Sequence, residues 1–372
     1  MWRVGCKCLH NNDMDISERS SYRDFVWAIE LNRFGLEFVG LWPAIDKTSK
    51  TSSVSDLRVV ISFVTVTLLT VIPLIYSLVR VWGDMILIID NLQLTLPMVM
   101  ISFKIVIMRW KRSAVTFIVK MIAEDWMTVR TEAERNVMIR QARVARVIMI
   151  CGYSLMGFAF VMLIILPSFG IHFRYLTNIT DGVRELPLQT SYFYKTDKSP
   201  QFELTLASQA VAIFVGGIAY TSVDAFFGLA IIHICGQLEN FQHRMITLVS
   251  NINFDAALRN NILSGAEISD MSITRKFFVL LCIVILFSHM LLYCAAGEMV
   301  AKQCEEVYRT ICNLEWYKLE SRKRRNFVIL MLRCNKPFHI TAGKLFPLTM
   351  STFCSLVKTS AGYISFLLAK SE

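Results

Sequence analysis

The residues best suited to chemistry are polar groups lodged in apolar sequence. Asp90, Asn91, Gln93 and Pro97 interrupt the hydrophobic stretch 84–108, and Asp224 sits toward the end of another. A carboxylate in hydrocarbon is costly, so each is expected to be neutral, paired, or turned toward a water-filled space. The densest case is the C-terminal block. Thr341, Lys344, Ser351, Ser355, Lys358, Gly362 and Ser365 recur at steps of three, four or seven. On a helix they make one stripe of polar and small residues. Such a stripe either packs tightly against neighbouring helices or lines an aqueous path. Lys358 tips the reading toward the path, because lipid accommodates it poorly. One helix cannot enclose a pore, so that reading implies an oligomer.

Other chemistry is missing from the pattern. The chain contains no H-E-x-x-H, G-x-S-x-G, P-loop or dinucleotide fingerprint. No cluster of acid, base or metal ligand stands out, so an enzyme is not expected, and neither is a cofactor, metal or catalytic residue. Cys6-Lys7-Cys8 is spaced too closely for zinc and lacks a second cysteine pair nearby. His172, His233 and His289 are isolated and read as packing residues.

The elements that must position these groups are membrane helices. The 372 residues are 54% hydrophobic and 18% charged, with mean hydropathy +0.48. A soluble domain is nearer 25% charged. Six apolar blocks are candidate spans: 58–80, 84–108, about 144–169, about 204–235, 277–297 and the more polar 340–368. The net charge of +10 lies mostly in tails and loops, where it reports topology rather than a nucleic-acid partner. Residues 109–143 hold eight Lys or Arg and are therefore placed in the cytoplasm, together with the N-terminus. Residues 170–203 then face outside and carry the chain's one glycosylation sequon, at Asn178. The scheme conflicts with itself later. Residues 298–326 carry seven basic residues, yet the fifth block would leave them outside. Either the charge rule fails there, or a span is missing between the fourth and fifth blocks.

The outer halves of the spans offer a candidate pocket for a small apolar molecule. Its residues are Leu92, Gln93 and Leu96 in the second block, Phe158, Phe160 and Met162 in the third, and Gln209, Ile213 and Phe214 in the fourth. Shape rather than hydrogen bonding would set its specificity.

Several stretches resemble the insect odorant receptor family. The strongest runs from Thr341 to Leu368, with Thr-Ala-Gly-Lys at its start and Lys358-Thr359-Ser360 before Tyr363. Lys336-Pro337, Leu291-Leu292-Tyr293-Cys294 with Gly297-Glu298, Glu315-Trp316-Tyr317-Lys318-Leu319, Leu31-Asn32-Arg33 and Gly40-Leu41-Trp42-Pro43 add to it, in family order. The resemblance implies an all-α, polytopic membrane bundle of seven spans with a cytoplasmic N-terminus. It implies a tuning subunit that binds a small volatile ligand. Such a subunit assembles with a shared co-receptor into a heterotetrameric, non-selective cation channel. The location implied is the plasma membrane, in the dendrite of an olfactory sensory neuron. The pore or gate would fall on Ser355, Lys358, Gly362, Ile364, Phe366 and Leu367.

On this likeness residues 1–57 form a cytoplasmic tail and 58–297 the bundle with its pocket. Residues 298–339 form a cytoplasmic linker that holds subunits together, and 340–372 the pore helix with a short tail. The chain departs from the family in showing six clear spans. The one expected between the fourth and fifth blocks is absent. Alternatives are a truncated, non-conducting receptor, a gustatory-type receptor or a membrane transporter.

Overall fold

The computed structural model describes residues 16–43, 49–129, 131–171, 184–194, 196–249, 273–314, 316–318, 321–335, 338–343 and 345–371. These are almost wholly helical. In chain order the helices are α1 (Ile16–Val39), α2 (Ser49–Val66), α3 (Ile72–Arg80), α4 (Met85–Trp110), α5 (Arg112–Met127) and α6 (Glu132–Phe160). They are followed by α7 (Leu166–Ser168), α8 (Gln201–Val249), α9 (Ile273–Asn313), α10 (Ser321–Cys334) and α11 (Met350–Ser371). One short hairpin, β1 (Thr341–Ala342) with β2 (Phe346–Pro347), precedes α11. Five helical segments are long and apolar enough to cross a membrane: Ser53–Arg80, Met85–Trp110, Glu132–Ser168, Gln201–Ile246 and Ile283–Asn313. They coincide with the first five apolar blocks, each longer than its hydrophobic run.

Two of the crossings carry a widened turn. Thr67–Val71 joins α2 to α3, and Val161–Ile165 joins α6 to α7, both as π-helix. A proline follows each at once, Pro73 and Pro167. Proline has no N–H to return to the carbonyl four residues back, so such turns must find other donors. Pro97 lies inside α4, and that helix continues through it. The start of α4 is capped by Asp84, whose carboxylate accepts from the Ile86 and Leu87 amides at 3.0 and 3.3 Å.

The chain divides into two compact units. The first holds Met1–Val129, Arg143–Phe227 and Phe277–Cys282. It includes the stretch 1–57 read as a tail. The stretch contains α1, whose Phe25, Ala28, Ile29, Asn32, Leu36 and Val39 are buried. Their spacing of three and four is that of a one-faced helix. Arg146 bonds the Trp27 carbonyl and stacks 4.5 Å from its ring centroid, fixing α1 to α6. Likewise 109–143 is not an open loop: α5 follows α4 after Lys111, and α6 begins at Glu132. Val115, Val119, Ile122 and Trp126 bury one face of α5.

The second unit holds Arg130–Ala142, Gly228–Lys276 and Ile283–Glu372. Arg244 grips Glu134 through two bonds, Nε to Oε1 at 2.5 Å and a guanidinium NH2 to Oε2 at 3.0 Å. Arg140 and Gln141 both reach Glu239. Met245, Val307 and Ile311 form an apolar centre covered by Leu238, Phe241, Phe327, Leu330 and Met331. The stretch read as a linker is thus folded: α9 runs on to Asn313, and α10 packs on its end.

The C-terminal helix begins later than the sequence spacing suggests. Thr341 lies in a strand, Gly343 adopts φ +57° at the hairpin turn, and Pro347 ends the second strand. Thr341 therefore lies outside the helix, whose stripe starts at Ser351, and Lys344 falls outside the described residues. Thr349 opens α11, its hydroxyl accepting from the Thr352 amide at 3.3 Å.

Candidate functional site

Residues 186–191 form an irregular strap that is buried although it lies within the segment 170–203 that the charge pattern places outside. Leu186, Leu188, Gln189, Thr190 and Ser191 are 6, 2, 1, 3 and 7% exposed. Backbone buried this way must find partners outside regular structure. Span one supplies two. The Ser191 amide donates to the Pro73 carbonyl at 3.2 Å, and the Tyr192 hydroxyl donates to the Leu69 carbonyl at 3.2 Å. Leu69 stands four residues before Pro73, so its carbonyl receives no amide from there. Span two supplies a third. Asn91 donates to the Gln189 carbonyl at 3.2 Å and accepts from Thr95 at 2.7 Å. Span four completes the set: Gln209 donates to the Thr190 hydroxyl at 2.8 Å and to the Tyr192 hydroxyl at 3.2 Å. Burial raises the Tyr192 phenol above its usual range, so it stays protonated and able to donate.

The nine pocket residues fall into separate settings. Gln209 is fully buried against the strap. Leu92 and Gln93 follow the strap's partner Asn91 on α4 and are half-buried, with the Gln93 carbonyl oxygen shielded and without a partner among the described residues. Phe160 and Phe214 meet edge-on at 5.8 Å, and Phe38 of α1 meets Phe214 at 6.3 Å. Such ring pairs add about 0.5–1.5 kcal/mol to simple burial. Met162 is buried within the widened turn of span three. Ile213 is half-buried one turn beyond Gln209. Leu96 and Phe158 are 58 and 43% exposed, on surfaces that a bilayer would cover. The sequence reading missed the strap and α1's Phe38. Gln189-Thr190-Ser191 is polar and aperiodic, so nothing in its hydropathy announces burial.

Asp224 is paired, as its cost in hydrocarbon demands. Lys104 of α4 lies 2.6 Å from it and 3.5 Å from the centroid of the Tyr220 ring. Asp90 is buried at 8% exposure.

The pore candidates lie on α11. Its base is docked: Phe353 meets Phe287 edge-on at 6.3 Å, and the Met350 amide donates to Glu298 at 3.3 Å. A Cβ on Gly297 would stand 2.0 Å from the Leu348 carbonyl oxygen, so only glycine lets the hairpin pass. Ser355, Lys358 and Gly362 are exposed, and a Cβ on Gly362 would meet nothing within 4 Å. Ile364, Phe366 and Leu367 are on the same helix, with side chains outside the described ones. Asn178 also lies outside the described residues. No group of three potential metal ligands occurs among the described residues.

Five apolar crossing helices and a bundle of this form define a multi-pass helical membrane protein. A model of the family described as 7tm Odorant receptor matches residues 84–264 and 262–361, more than half of the chain. The chain belongs to that family, which is a family of receptors and not of enzymes. It is 23% identical over 214 residues to Odorant receptor 22c of Drosophila melanogaster, covering 45% of this chain and 52% of that one. It is 26% identical over 98 residues to Odorant receptor 19a of the same organism, 26% of this chain and 25% of that one. The matched stretches thus span between a quarter and about half of these relatives' length. The fold is similar to that of the insect olfactory receptor OR5 from Machilis hrabei, with TM-score 0.72, 15% identity, and 93 and 99% of the two chains covered. The structure of the same receptor in complex with eugenol gives TM-score 0.71 at 13% identity, covering 95 and 99%.

Proposed function

We propose that this chain is the odorant-sensing subunit of a ligand-gated, non-selective cation channel. It would assemble with a shared co-receptor and respond to small volatile ligands. One observation carries the channel reading. The polar and small residues of α11 from Ser355 to Gly362 are exposed in the single chain, where a helix of a finished bundle would have them covered. Several copies around an axis would turn that face into a water-filled path. Ligand binding in the outer bundle would then favour the state with these helices apart. The ligand reading is supported by the aromatic cluster Phe38, Phe160 and Phe214, and by a related fold solved with eugenol.

The test is current from cells expressing this chain with the family's co-receptor, across a panel of volatiles, with surface labelling in parallel. Ligand-dependent cation current is expected. Surface expression without current would favour a non-conducting receptor. That second reading draws on the number of crossings: five apolar helices and α11 make six among the described residues. From a cytoplasmic N-terminus, an even number would bring the C-terminus back inside. The family match also breaks at 262–264, where the sequence reading places the lost span.

A further inference from the structure

The Gln209 amide is held in one orientation. Its orientation follows from its neighbours. Carbonyl oxygens only accept, so the Tyr192 hydroxyl spends its hydrogen on Leu69 and the Thr190 hydroxyl spends its own on Leu188 at 3.3 Å. Both hydroxyl oxygens can then only accept from Gln209. The amide must turn its NH2 toward them, at 2.8 and 3.2 Å, and its carbonyl oxygen away. That oxygen is buried and has no partner among the described residues, on a side chain 0% exposed. The neighbouring strap residue Gln189, 1% exposed, likewise has neither amide atom paired among the described residues. Buried amides left so are costly, and native structures rarely keep them without a partner to meet.

We infer that Gln209 is a specificity residue of the ligand site, one that selects ligands carrying a hydroxyl donor over isomers that carry only acceptors. This rests on the reading of the chain as a ligand-binding receptor subunit. The pinned carbonyl oxygen cannot bond an ether, ester or ketone oxygen, since both partners would accept. An alcohol or phenol donates to it without displacing Thr190 or Tyr192. A neutral hydrogen bond to such an acceptor favours the donor isomer by about three- to tenfold.

The probes are isomer pairs: p-cresol with anisole, and 1-octanol with heptyl methyl ether. Half-maximal concentrations are read as current in co-receptor-expressing cells. Ligand stabilisation is read separately, as the thermal unfolding shift of the purified chain in detergent. In the native chain the hydroxyl isomer is expected to act at roughly three- to tenfold lower concentration. In Gln209→Met that preference disappears, the hydroxyl isomer losing more potency than the ether. Tyr192→Phe, which loosens the amide without removing it, reduces the preference partially. Equal potency of the isomers in the native chain overturns the inference. So does a preference that survives Gln209→Met, or an equal loss for both isomers. Absence of current with the hydroxyl preference still present in unfolding shifts sinks the channel reading and leaves this one standing. Absence of the preference in both readouts overturns it.

Discussion

The strap site and the C-terminal helix handle polar residues in opposite ways. Around the strap, Asn91, Thr95, Gln209, Thr190 and Tyr192 are joined to each other and to backbone carbonyls within one chain. On α11, Ser355, Lys358, Thr359, Ser360 and Gly362 lie exposed. The difference separates two jobs. A polar group closed on itself fixes the path of its own chain, and its loss is felt as instability. A polar face left open fixes nothing in the chain that carries it, and its loss should be felt only in what the face meets.

The contrast is broken or sharpened by substitution, beginning with the largest effect. Lys104→Met leaves the buried Asp224 carboxylate without its ammonium and should cost about 3–5 kcal/mol. Thermal unfolding in detergent and surface labelling measure it. Lys104→Met together with Asp224→Leu should recover most of the loss, because an apolar pair replaces an ionic one. Gly297→Val drives a side chain into the Leu348 carbonyl and should cost about 1–3 kcal/mol by overpacking, read in the same assays. Tyr192→Phe removes one donor and one acceptor from the strap, about 1 kcal/mol.

Tyr192 also predicts a pH dependence. Its folded pKa is raised by burial, so the unfolded phenol ionises first. Stability should fall as pH rises through about 10, and an unfolding series across that range should show less of the fall in Tyr192→Phe. The smallest stability effect is expected on the open face. Lys358→Gln should change unfolding by no more than about 0.5 kcal/mol while, on the proposed channel reading, shifting reversal potentials. A large loss of stability there would show that the face is closed within the chain after all.

The sequence made the apolar crossings legible because twenty-residue hydrophobic runs have few alternatives. The family resemblance was legible too, from ordered short motifs ending in Lys358-Thr359-Ser360. Helix ends were less so. Thr341 fits the spacing of α11 by coincidence of step, and the breakers Gly343 and Pro347 decide the matter. The helix α1 had a readable signal in Phe25, Ala28, Asn32, Leu36 and Val39, obscured by the charges on its other face. The strap had none. Burial of Gln189 and Thr190 depends on the amide side chains of Asn91 and Gln209 on distant helices, and no local pattern encodes that. Among the pocket residues, hydropathy grouped Leu96 with Gln209 by depth, although one is 58% exposed and the other enclosed. Depth in the bilayer is written in a sequence; rotation about the helix axis is written only faintly.

The widened turn at Thr67–Val71 and the proline after it make the first crossing helix offer its backbone sideways, as the edge of a sheet does. The Pro73 carbonyl takes the Ser191 amide and the Gln189 carbonyl takes Asn91, bonds that use the strap's main chain and ignore its side chains. Any amino acid except proline at 191, and any at all at 189, could make them. The path of this segment can therefore be inherited while the letters at positions 189 and 191 drift.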